Sequence, residues 1–277
     1  MQTSHAINAL KAVTRREIIK FSQQRGRLIS AFVRPALWLF VFAAGVGSVT
    51  GVDPGMYHPY PVQNVPYEEY IIPGLLGMVL LFSGMQSSLS MVYDREMGVM
   101  RLLLTAPLPR WYLLTAKLIS GTILSVIQAY VFLVICVPVI TTYVHINTPM
   151  IGFLYALPAV ILTGLMLGAM GLLLSVYIKQ LENFAGTMNF VIFPMFFISS
   201  ALYPLWRLEE RGVYIVYWLA NVNPFTYGVE LIRYATFGQF NLTAAVVVTG
   251  CVIGFLVIAI MGYDPQRGLI RRGPRPA

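Results

Sequence analysis

The chain alternates between long stretches without a charged side chain and short stretches in which charges gather. The charge-free stretches are residues 35–52, 70–93, 118–178, 183–206, 212–229 and 234–263. A helix needs about 20 apolar residues to cross a bilayer, so the stretch 118–178 is long enough for two crossings with a polar break at 141–149. The pattern therefore predicts six membrane-spanning helices, over residues 30–50, 70–92, 115–140, 151–177, 184–204 and 243–262.

Composition supports a helical membrane protein and excludes most other classes. Hydrophobic residues make up 57% of the chain, charged residues make up 11%, and the mean hydropathy is +0.72. Soluble domains carry about 25% charged residues, and a chain of 277 residues has too little interior to bury so much apolar surface. A soluble enzyme, a disordered chain, a disulfide scaffold and a coiled coil are excluded. The predicted fold class is an all-α integral membrane protein.

The distribution of basic residues gives the predicted orientation. Of the 19 Lys and Arg residues, all except Arg207, Arg211 and Arg233 fall on one side of the six predicted spans. Cytoplasmic loops of membrane proteins carry the excess of Lys and Arg. We therefore expect both termini in the cytoplasm, and the net charge of +8 does not require a nucleic acid partner.

The segment 207–238 is predicted to enter the outer leaflet and return. If it crossed completely, the basic C-terminal tail would lie outside, against the charge distribution. Its aromatic residues, which favour membrane interfaces, are Tyr214, Tyr217, Trp218, Phe225 and Tyr227. Glu230 and Arg233 are three residues apart and can pair on a helix. The alternative is an extracellular amphipathic loop lying on the surface.

Residues 1–28 are predicted to form a cytoplasmic amphipathic helix, ahead of a six-span domain over residues 29–277. The apolar sector, which Glu17 interrupts, contains Ile7, Leu10, Val13, Ile18 and Phe21. Arg15, Arg16 and Lys20 lie mostly outside that sector. A basic amphipathic helix beside a span lies at the membrane surface near anionic lipid. The alternative is a soluble helix that packs on a partner protein.

A short cytoplasmic helix is predicted over residues 94–108, between the second and third spans. Asp94 can cap its start, and Pro107 and Pro109 end it. One face of this helix is apolar and contains Met97, Met100, Leu103 and Leu104. Such a helix can bind in the groove of a partner. The alternative is an ordinary turn among the lipid headgroups.

Two glycines in the fourth predicted span, Gly164 and Gly168, have the spacing of helices that cross closely. The sequence does not distinguish a crossing within one chain from a crossing between two chains. Ordinary helix packing is the alternative.

The motifs that supply energy to transporters are missing from the sequence. It contains no G-x-x-x-x-G-K-[ST] phosphate loop, no G-x-G-x-x-G, no His-Glu-x-x-His and no cysteine pair at zinc spacing. The predicted spans also have almost no ionisable group at mid-depth, where ion-coupled carriers need one. We therefore expect no catalytic residue, metal or cofactor in this chain, and we expect the driving force to come from another subunit.

Two segments of the sequence resemble the permease subunits of ABC-2 type ATP-binding-cassette exporters. One is Tyr-Ile-Ile-Pro-Gly-Leu at 70–75, which leads into Glu-Met-Gly-Val-Met-Arg-Leu-Leu-Leu-Thr-Ala-Pro-Leu at 96–108. The other is Asn-Pro-Phe-Thr-Tyr-Gly-Val-Glu-Leu-Ile-Arg at 223–233, just before the last span. Together with the basic N-terminal helix and the six predicted spans, the resemblance covers nearly the whole chain.

The resemblance implies a transport function and assigns roles to residues. Two copies of the chain would pair as a homodimer in a bacterial inner membrane, and two separate ATPase subunits would dock below them and bind ATP and Mg. The coupling helix to the ATPase would contain Glu96, Met97, Met100, Arg101, Leu103 and Leu104. Arg15, Arg16 and Lys20 would belong to the interface helix beside the ATPase. The re-entrant outer segment would include Trp218, Asn223, Pro224, Tyr227, Glu230 and Arg233.

The cargo is not evident from the sequence, although the family exports hydrophobic drugs, lipids and lipid-linked glycans. Aromatic residues that either line a path or pack in the core and against lipid include Trp38, Phe42, Phe193, Phe197 and Tyr203. Two other functions stay open from the sequence. One is an ion-coupled secondary carrier, and the other is a non-transporting membrane anchor for an ATPase complex.

Overall fold

The described residues form helices joined by short turns, and they contain no strand. The computed structural model describes residues 3–23, 33, 35–39, 41, 67–98, 109–143, 150–178 and 180–263, and residues 33, 35–39 and 41 are helical. The other helices are α1 (Thr3–Gln23), α2 (Tyr67–Glu96), α3 (Arg110–Tyr143), α4 (Met150–Tyr155), α5 (Leu157–Tyr177), α6 (Leu181–Phe197), α7 (Leu205–Glu210), α8 (Tyr214–Val222), α9 (Pro224–Thr236) and α10 (Leu242–Gly262). The predicted all-α class is confirmed.

Four of these helices are long and apolar enough to cross a membrane. They contain the candidate spans Glu69–Glu96, Trp111–Ile135, Leu157–Tyr177 and Leu242–Gly262, which coincide with the second, third, fourth and sixth predicted spans. Helix α6 occupies the fifth predicted span, but its 17 residues are fewer than the roughly 20 that a straight crossing needs. The first predicted span, 30–50, lies mostly outside the described residues. The count of six spans therefore stays a prediction.

Helix α2 is the central helix of the bundle. Its most apolar window is 78% buried, whereas the corresponding window of α10 is 17% buried. Helix α2 packs against α3, α5, α6 and α9, while α10 packs chiefly on α5 and α9. Lipid tails are as apolar as leucine, so helices associate in a bilayer mainly through close packing and hydrogen bonds. Helix α2 therefore lies at the centre of the described bundle, with α3, α5, α6 and α9 packed around it.

Glycines let α2 and α5 cross at close range. A β-carbon added to Gly84 would lie 3.1 Å from the backbone nitrogen of Gly168, and one added to Gly171 would lie 2.6 Å from Ser88 Oγ. Gly164 instead approaches α3, where its β-carbon would lie 3.3 Å from a methyl group of Thr122. The predicted close crossing is therefore present, and it lies within one chain.

The helix boundaries differ from the predicted ones near prolines. The fourth predicted span, 151–177, is divided into α4 and α5, because Pro158 in the first turn of α5 lacks the N–H that would bond to the preceding turn. Helix α3 instead continues past Pro138 and ends at Tyr143, inside the predicted polar break. A proline at a helix start is tolerated, and a helix already formed can pass one with a lost hydrogen bond.

The segment predicted to re-enter the membrane consists of three short helices, α7, α8 and α9. Gly212 follows α7 with φ of 72°, and Gly238 follows α9 with φ of 70°. Glycine adopts this left-handed conformation without a steric cost, which suits a sharp helix end. Helix α9 packs against α2, α4, α5 and α10. The depth of the segment in the bilayer stays a prediction.

The bundle has two distinct ends. At the basic end, α1 meets the carboxyl end of α2 and the amino end of α3, and the carboxyl end of α2 also meets the amino end of α6. At the opposite end, the start of α2 meets residues 198–203 and helix α9. Each end contains a network of buried polar side chains.

Candidate functional site

A buried ion cluster around Asp94 joins three helices at the basic end. Asp94 Oδ1 accepts hydrogen bonds from Arg16 Nη2 at 2.6 Å and Lys20 Nζ at 2.9 Å, and Oδ2 accepts one from Lys117 Nζ at 2.8 Å. The side chains of Asp94 and Lys117 are 1% and 5% exposed, while those of Arg16 and Lys20 are about one-third exposed. Burial of a carboxylate costs several kcal/mol unless it is paired, and three cations here offset that cost.

Helix α1 docks on the bundle through its polar side. Arg16 and Lys20 are four residues apart and therefore share one face of the helix. Two residues before Arg16, the hydroxyl of Thr14 lies 2.9 Å from the hydroxyl of Ser120 on α3. The hydrophobic side chains of Ile18 and Ile19 are 40% and 45% exposed. The basic side chains that would lie free at a lipid surface are thus partly used to fasten α1 to the bundle.

The proposed interface residues of α1 have different surroundings. Arg15 is exposed, whereas Arg16 and Lys20 bind Asp94. Glu17, which interrupts the apolar sector, is buried beside the cluster. Of the three basic residues proposed for the interface, Arg15 is therefore the one whose side chain is exposed and can contact another molecule.

One prediction about a single residue at this end is wrong. Asp94 does not cap the start of a helix, because it lies within the last turn of α2 and its oxygens bind three cations. One of those cations, Lys117, is 6% exposed although it borders a long apolar run. Local sequence pattern misses these contacts because the partners come from distant segments.

The predicted coupling helix is described only at its beginning, residues 94–98. Glu96 Oε1 accepts a hydrogen bond of 2.8 Å from the backbone N–H of Leu181, one of the unpaired donors at the start of α6. Met97 is 61% exposed, and Gly98 ends α2 with φ of 72°. The remaining predicted coupling residues, Met100, Arg101, Leu103 and Leu104, lie outside the described residues.

At the opposite end, Asn223 links the end of α6 to the start of α9. Its Nδ2 donates to the carbonyl oxygens of Met195 at 2.7 Å and Ile198 at 2.6 Å, while its Oδ1 accepts from the backbone N–H of Phe225 at 3.0 Å. Pro224 occupies the first position of α9, where a missing N–H costs nothing. One side chain thus satisfies backbone groups at both helix ends, which explains why Asn-Pro starts this helix.

Arg233 is the centre of a second polar network at the opposite end. Its Nη1 lies 2.5 Å from Glu230 Oε1, its Nη2 donates to the carbonyl oxygen of Ser200 at 2.7 Å, and its guanidinium carbon lies 3.9 Å from the ring centre of Tyr70. The hydroxyl of Tyr70 also donates to the Ser200 carbonyl. The predicted pairing of Glu230 with Arg233 is confirmed. The roles of Tyr70 and Ser200 were not evident from the sequence.

Helix α8 carries an apolar stripe that faces away from the bundle. The exposed side chains Ile215, Trp218 and Val222 lie on this stripe, and Trp218 is 66% exposed. Tyr227, on the next helix, is partly buried against the core. Tryptophan favours the interface between lipid and water, so the stripe favours a position of α8 at a membrane surface.

Four of the five aromatic residues proposed for a path lie together around α6. The ring centre of Phe197 lies 5.4 Å from that of Trp38 and 6.3 Å from that of Phe193, and the hydroxyl of Tyr203 donates to the Phe197 carbonyl. Phe193 and Phe197 are about 40% exposed, so this aromatic cluster has one face free. Phe42 lies outside the described residues. A role of the cluster in transport stays a prediction.

The described ranges contain no cluster of three or more His, Cys, Asp or Glu side chains placed to bind a metal. Cys251 forms no disulfide there. The expectation that this chain contains no cofactor stays a prediction.

Replacing Asn223 with alanine is expected to lower the free energy of unfolding by about 2 kcal/mol. The substitution leaves two partly buried carbonyl oxygens at the end of α6 without this donor, and a buried polar group without a partner costs about 1–3 kcal/mol. Thermal unfolding in detergent micelles, followed by far-UV circular dichroism, measures the loss. Asn183→Ala is the control, because the Asn183 side chain is exposed and bonds only to its neighbour Gln180 in the described structure. Equal midpoints for the two variants would contradict the linking role of Asn223.

Comparisons with known proteins find a matching family model and related proteins. The ABC-2 type transporter family model matches residues 8–237. A putative transport permease, ycf38 of Cyanophora paradoxa, is 26% identical over 235 residues, which cover 82% of this chain and 74% of the relative. The inner membrane transport permease YadH of Escherichia coli K12 is 23% identical to this chain, and the alignment covers 90% of each protein. Nodulation protein J of Rhizobium leguminosarum bv. viciae is also 23% identical, and the alignment covers 82% of each protein. The family match includes α1, the Asp94 cluster and the α9 network, and the chain therefore belongs to the ABC-2 type transporter family.

Proposed function

We propose that this transport permease is the membrane subunit of an ABC exporter in a bacterial inner membrane. Two copies of the chain form a path for a hydrophobic or amphipathic substrate, such as a drug, a lipid or a glycolipid. A separate ATPase, in two copies, binds ATP and Mg and drives the cycle. The family match over residues 8–237 is the observation that carries this proposal, and the missing phosphate loop explains why a separate ATPase is needed.

The Asp94 cluster supports docking of the ATPase at the basic end. Because Asp94 bonds to cations on α1 and α3, a displacement of the loop after α2 must move all three helices together. Met97 follows Asp94 by three residues and is 61% exposed, so it is placed to contact an ATPase docked at the basic end. ATP binding would then shift the population between two arrangements of the bundle.

The network at the opposite end supports transmission of that shift. Arg233 holds α9 on the carbonyl of Ser200, and Tyr70 at the start of α2 binds the same carbonyl. Asn223 holds α9 on the end of α6. Movement of α2 would therefore act through hydrogen bonds on α9 and the end of α6, which in this proposal close the external end of the path.

Reconstitution with the partner ATPase tests the proposal. The purified chain should hydrolyse no ATP, whereas a complex purified from cells that also express the ATPase should hydrolyse ATP and move a fluorescent lipid or drug across a liposome membrane. Light scattering should give the mass of two copies of the 30.9 kDa chain in the complex. ATP hydrolysis by the isolated chain, or transport that continues without the ATPase, would contradict the proposal.

Aspartate at Met97 or at Leu103 is expected to weaken ATPase docking by roughly 30-fold or more. A charge placed in the centre of an apolar contact costs about 2 kcal/mol or more, as for other central interface residues. The ratio of ATPase to permease after affinity purification measures the effect. Tyr214→Asp is the matched control, since Tyr214 is also exposed but lies in the outer segment. Equal loss of ATPase from the Tyr214 variant would mean that the coupling segment has no special role.

A further inference from the structure

A cavity of about 370 Å³ lies at the basic end between α1, α2 and α3. Its described walls include Glu17 and Lys20 from α1, Gln86 and Ser87 from α2, and Gln128 from α3. The lining also contains apolar side chains, among them Leu89, Leu124 and Leu181. The cavity therefore presents both hydrogen-bonding groups and apolar surface, and it is partly open.

The polar wall follows from a stripe along α2. Ser83, Gln86, Ser87 and Ser90 have the spacing i, i+3, i+4 and i+7, so they share one face of a helix that is otherwise apolar. Ser83 donates a hydrogen bond of 2.6 Å to Gln128 Oε1, at the end of the cavity furthest from the basic end. Polar side chains in a span generally face protein or water and mark a path. The stripe thus belongs to the cavity and not to the lipid surface.

Glu17 supplies the second observation. This side chain lines the cavity, it is 9% exposed, and its Oε1 accepts no hydrogen bond from any group in the part of the chain that the structure describes. A buried acceptor without a donor costs about 1–3 kcal/mol, and more when it is charged. A ligand that donates a hydrogen bond to Oε1 would recover that cost.

The charges around the cavity select the kind of ligand. Arg16, Lys20 and Lys117 face Asp94, and Glu17 is the second carboxylate, so the group has a net positive charge that disfavours a cation. An anion is disfavoured as well, because the cations already donate to Asp94 and the unpaired atom is a carboxylate oxygen. A neutral ligand with several hydroxyl groups can donate to Glu17 and also bond to the serine and glutamine side chains.

We infer that this cavity binds the neutral, hydroxyl-rich headgroup of an amphipathic molecule, a glycoside, with Glu17 Oε1 accepting a hydrogen bond from a ligand hydroxyl. The leucines of the lining would contact the start of its alkyl chain. As a substrate site at the basic end, the cavity would receive cargo from the cytoplasmic leaflet, and that role rests on the proposed function. Binding of the headgroup does not depend on ATP or on the ATPase.

Photo-crosslinking of the full chain in phosphatidylcholine nanodiscs tests the inference. The probe is an alkyl glucoside with a photoreactive group in its chain, and crosslinked peptides are mapped by mass spectrometry. Labelling of residues 83–93 should saturate and should be displaced by octyl glucoside, and much less by octyltrimethylammonium or octyl phosphate. More effective displacement by the ammonium or the phosphate would overturn the inference.

Variants of Glu17 locate the site. Glu17→Leu should weaken binding at least about tenfold, as expected for the loss of a hydrogen bond to a charged group, while Glu17→Gln should retain part of the affinity because the amide keeps an acceptor oxygen. Glu209→Gln, which removes an exposed carboxylate in α7, should leave binding unchanged. If Glu17→Leu fails to fold, Gln86→Leu on the opposite wall tests the same cavity. Unchanged labelling of the folded Glu17→Leu or Gln86→Leu variant would overturn the inference.

The two proposals can fail independently. The crosslinking experiment contains neither ATP nor ATPase, so absent labelling in a permease that still couples to its ATPase would contradict the glycoside site alone. Saturable, Glu17-dependent labelling of a chain that binds no ATPase would contradict the exporter function and leave the glycoside site standing.

Discussion

Asp94→Asn is expected to lower the free energy of unfolding by about 3–5 kcal/mol, as found when one partner of a buried ion pair is removed. The amide cannot offset the charge of Lys117, whose side chain is 5% exposed. Arg16 and Lys20 would also lose their acceptor, and α1 would lose its main attachment to α2. For a chain of this size we expect the thermal midpoint in micelles to fall by roughly 6–20 °C.

Two further variants separate the ion cluster from a general effect of charge. Glu209→Gln removes an exposed carboxylate and should leave the midpoint nearly unchanged. Asp94→Asn combined with Lys117→Met should recover part of the loss, because the buried cation is then absent and a hydrophobic side chain of similar volume replaces it. A double variant less stable than Asp94→Asn would show that Lys117 does not depend on Asp94.

Gly74→Val is expected to destabilise the protein by about 3 kcal/mol or more. A β-carbon at Gly74 would overlap the carbonyl oxygen of Ala201 and lie 2.8 Å from its Cα, and backbone atoms cannot rotate away as a side chain can. Overpacking of a tight contact costs about 1–3 kcal/mol, and the branched side chain adds two methyl groups. The substitution would force the start of α2 away from residues 199–203, where Tyr70 and Arg233 share the Ser200 carbonyl.

Gly186→Val provides the matched control in helix α6. A β-carbon at Gly186 has no neighbour within 4 Å, so the same substitution meets open space. Valine also has a higher helix propensity than glycine, and we expect the midpoint of this variant to stay the same or rise. Similar destabilisation of the two variants would contradict the close contact between Gly74 and the backbone of Ala201.

Long helices with a uniform apolar character could be predicted closely from the sequence. The last predicted span, 243–262, differs from α10 by one residue, because a polar cap at Asn241 and an uninterrupted apolar run define its limits locally. The pairing of Glu230 with Arg233 was also predictable, since both residues lie on one helix. In these cases the information lies within a few residues of chain.

The ion cluster could not be predicted because its members come from distant parts of the chain. Arg16 is 78 residues from Asp94 and Lys117 is 23 residues from it, so no periodic pattern relates them. A signal was present, since Asp94 and Lys117 each border an apolar run and Arg16 and Lys20 share a helix face. The interruption of the apolar sector by Glu17 was visible too, but its place in a cavity wall depends on how α1 docks.

The Asp94 cluster gives the protein an unequal tolerance of mutation. One carboxylate forms salt bridges to three basic side chains, so a change at position 16 or 20 removes one salt bridge and leaves the other two in place. A change at position 94 removes all three salt bridges at once. Redundancy among the bases should therefore allow neutral drift in α1 while the acid stays fixed, and a saturation mutagenesis scan should show permissive sites at 16 and 20 beside an intolerant site at 94.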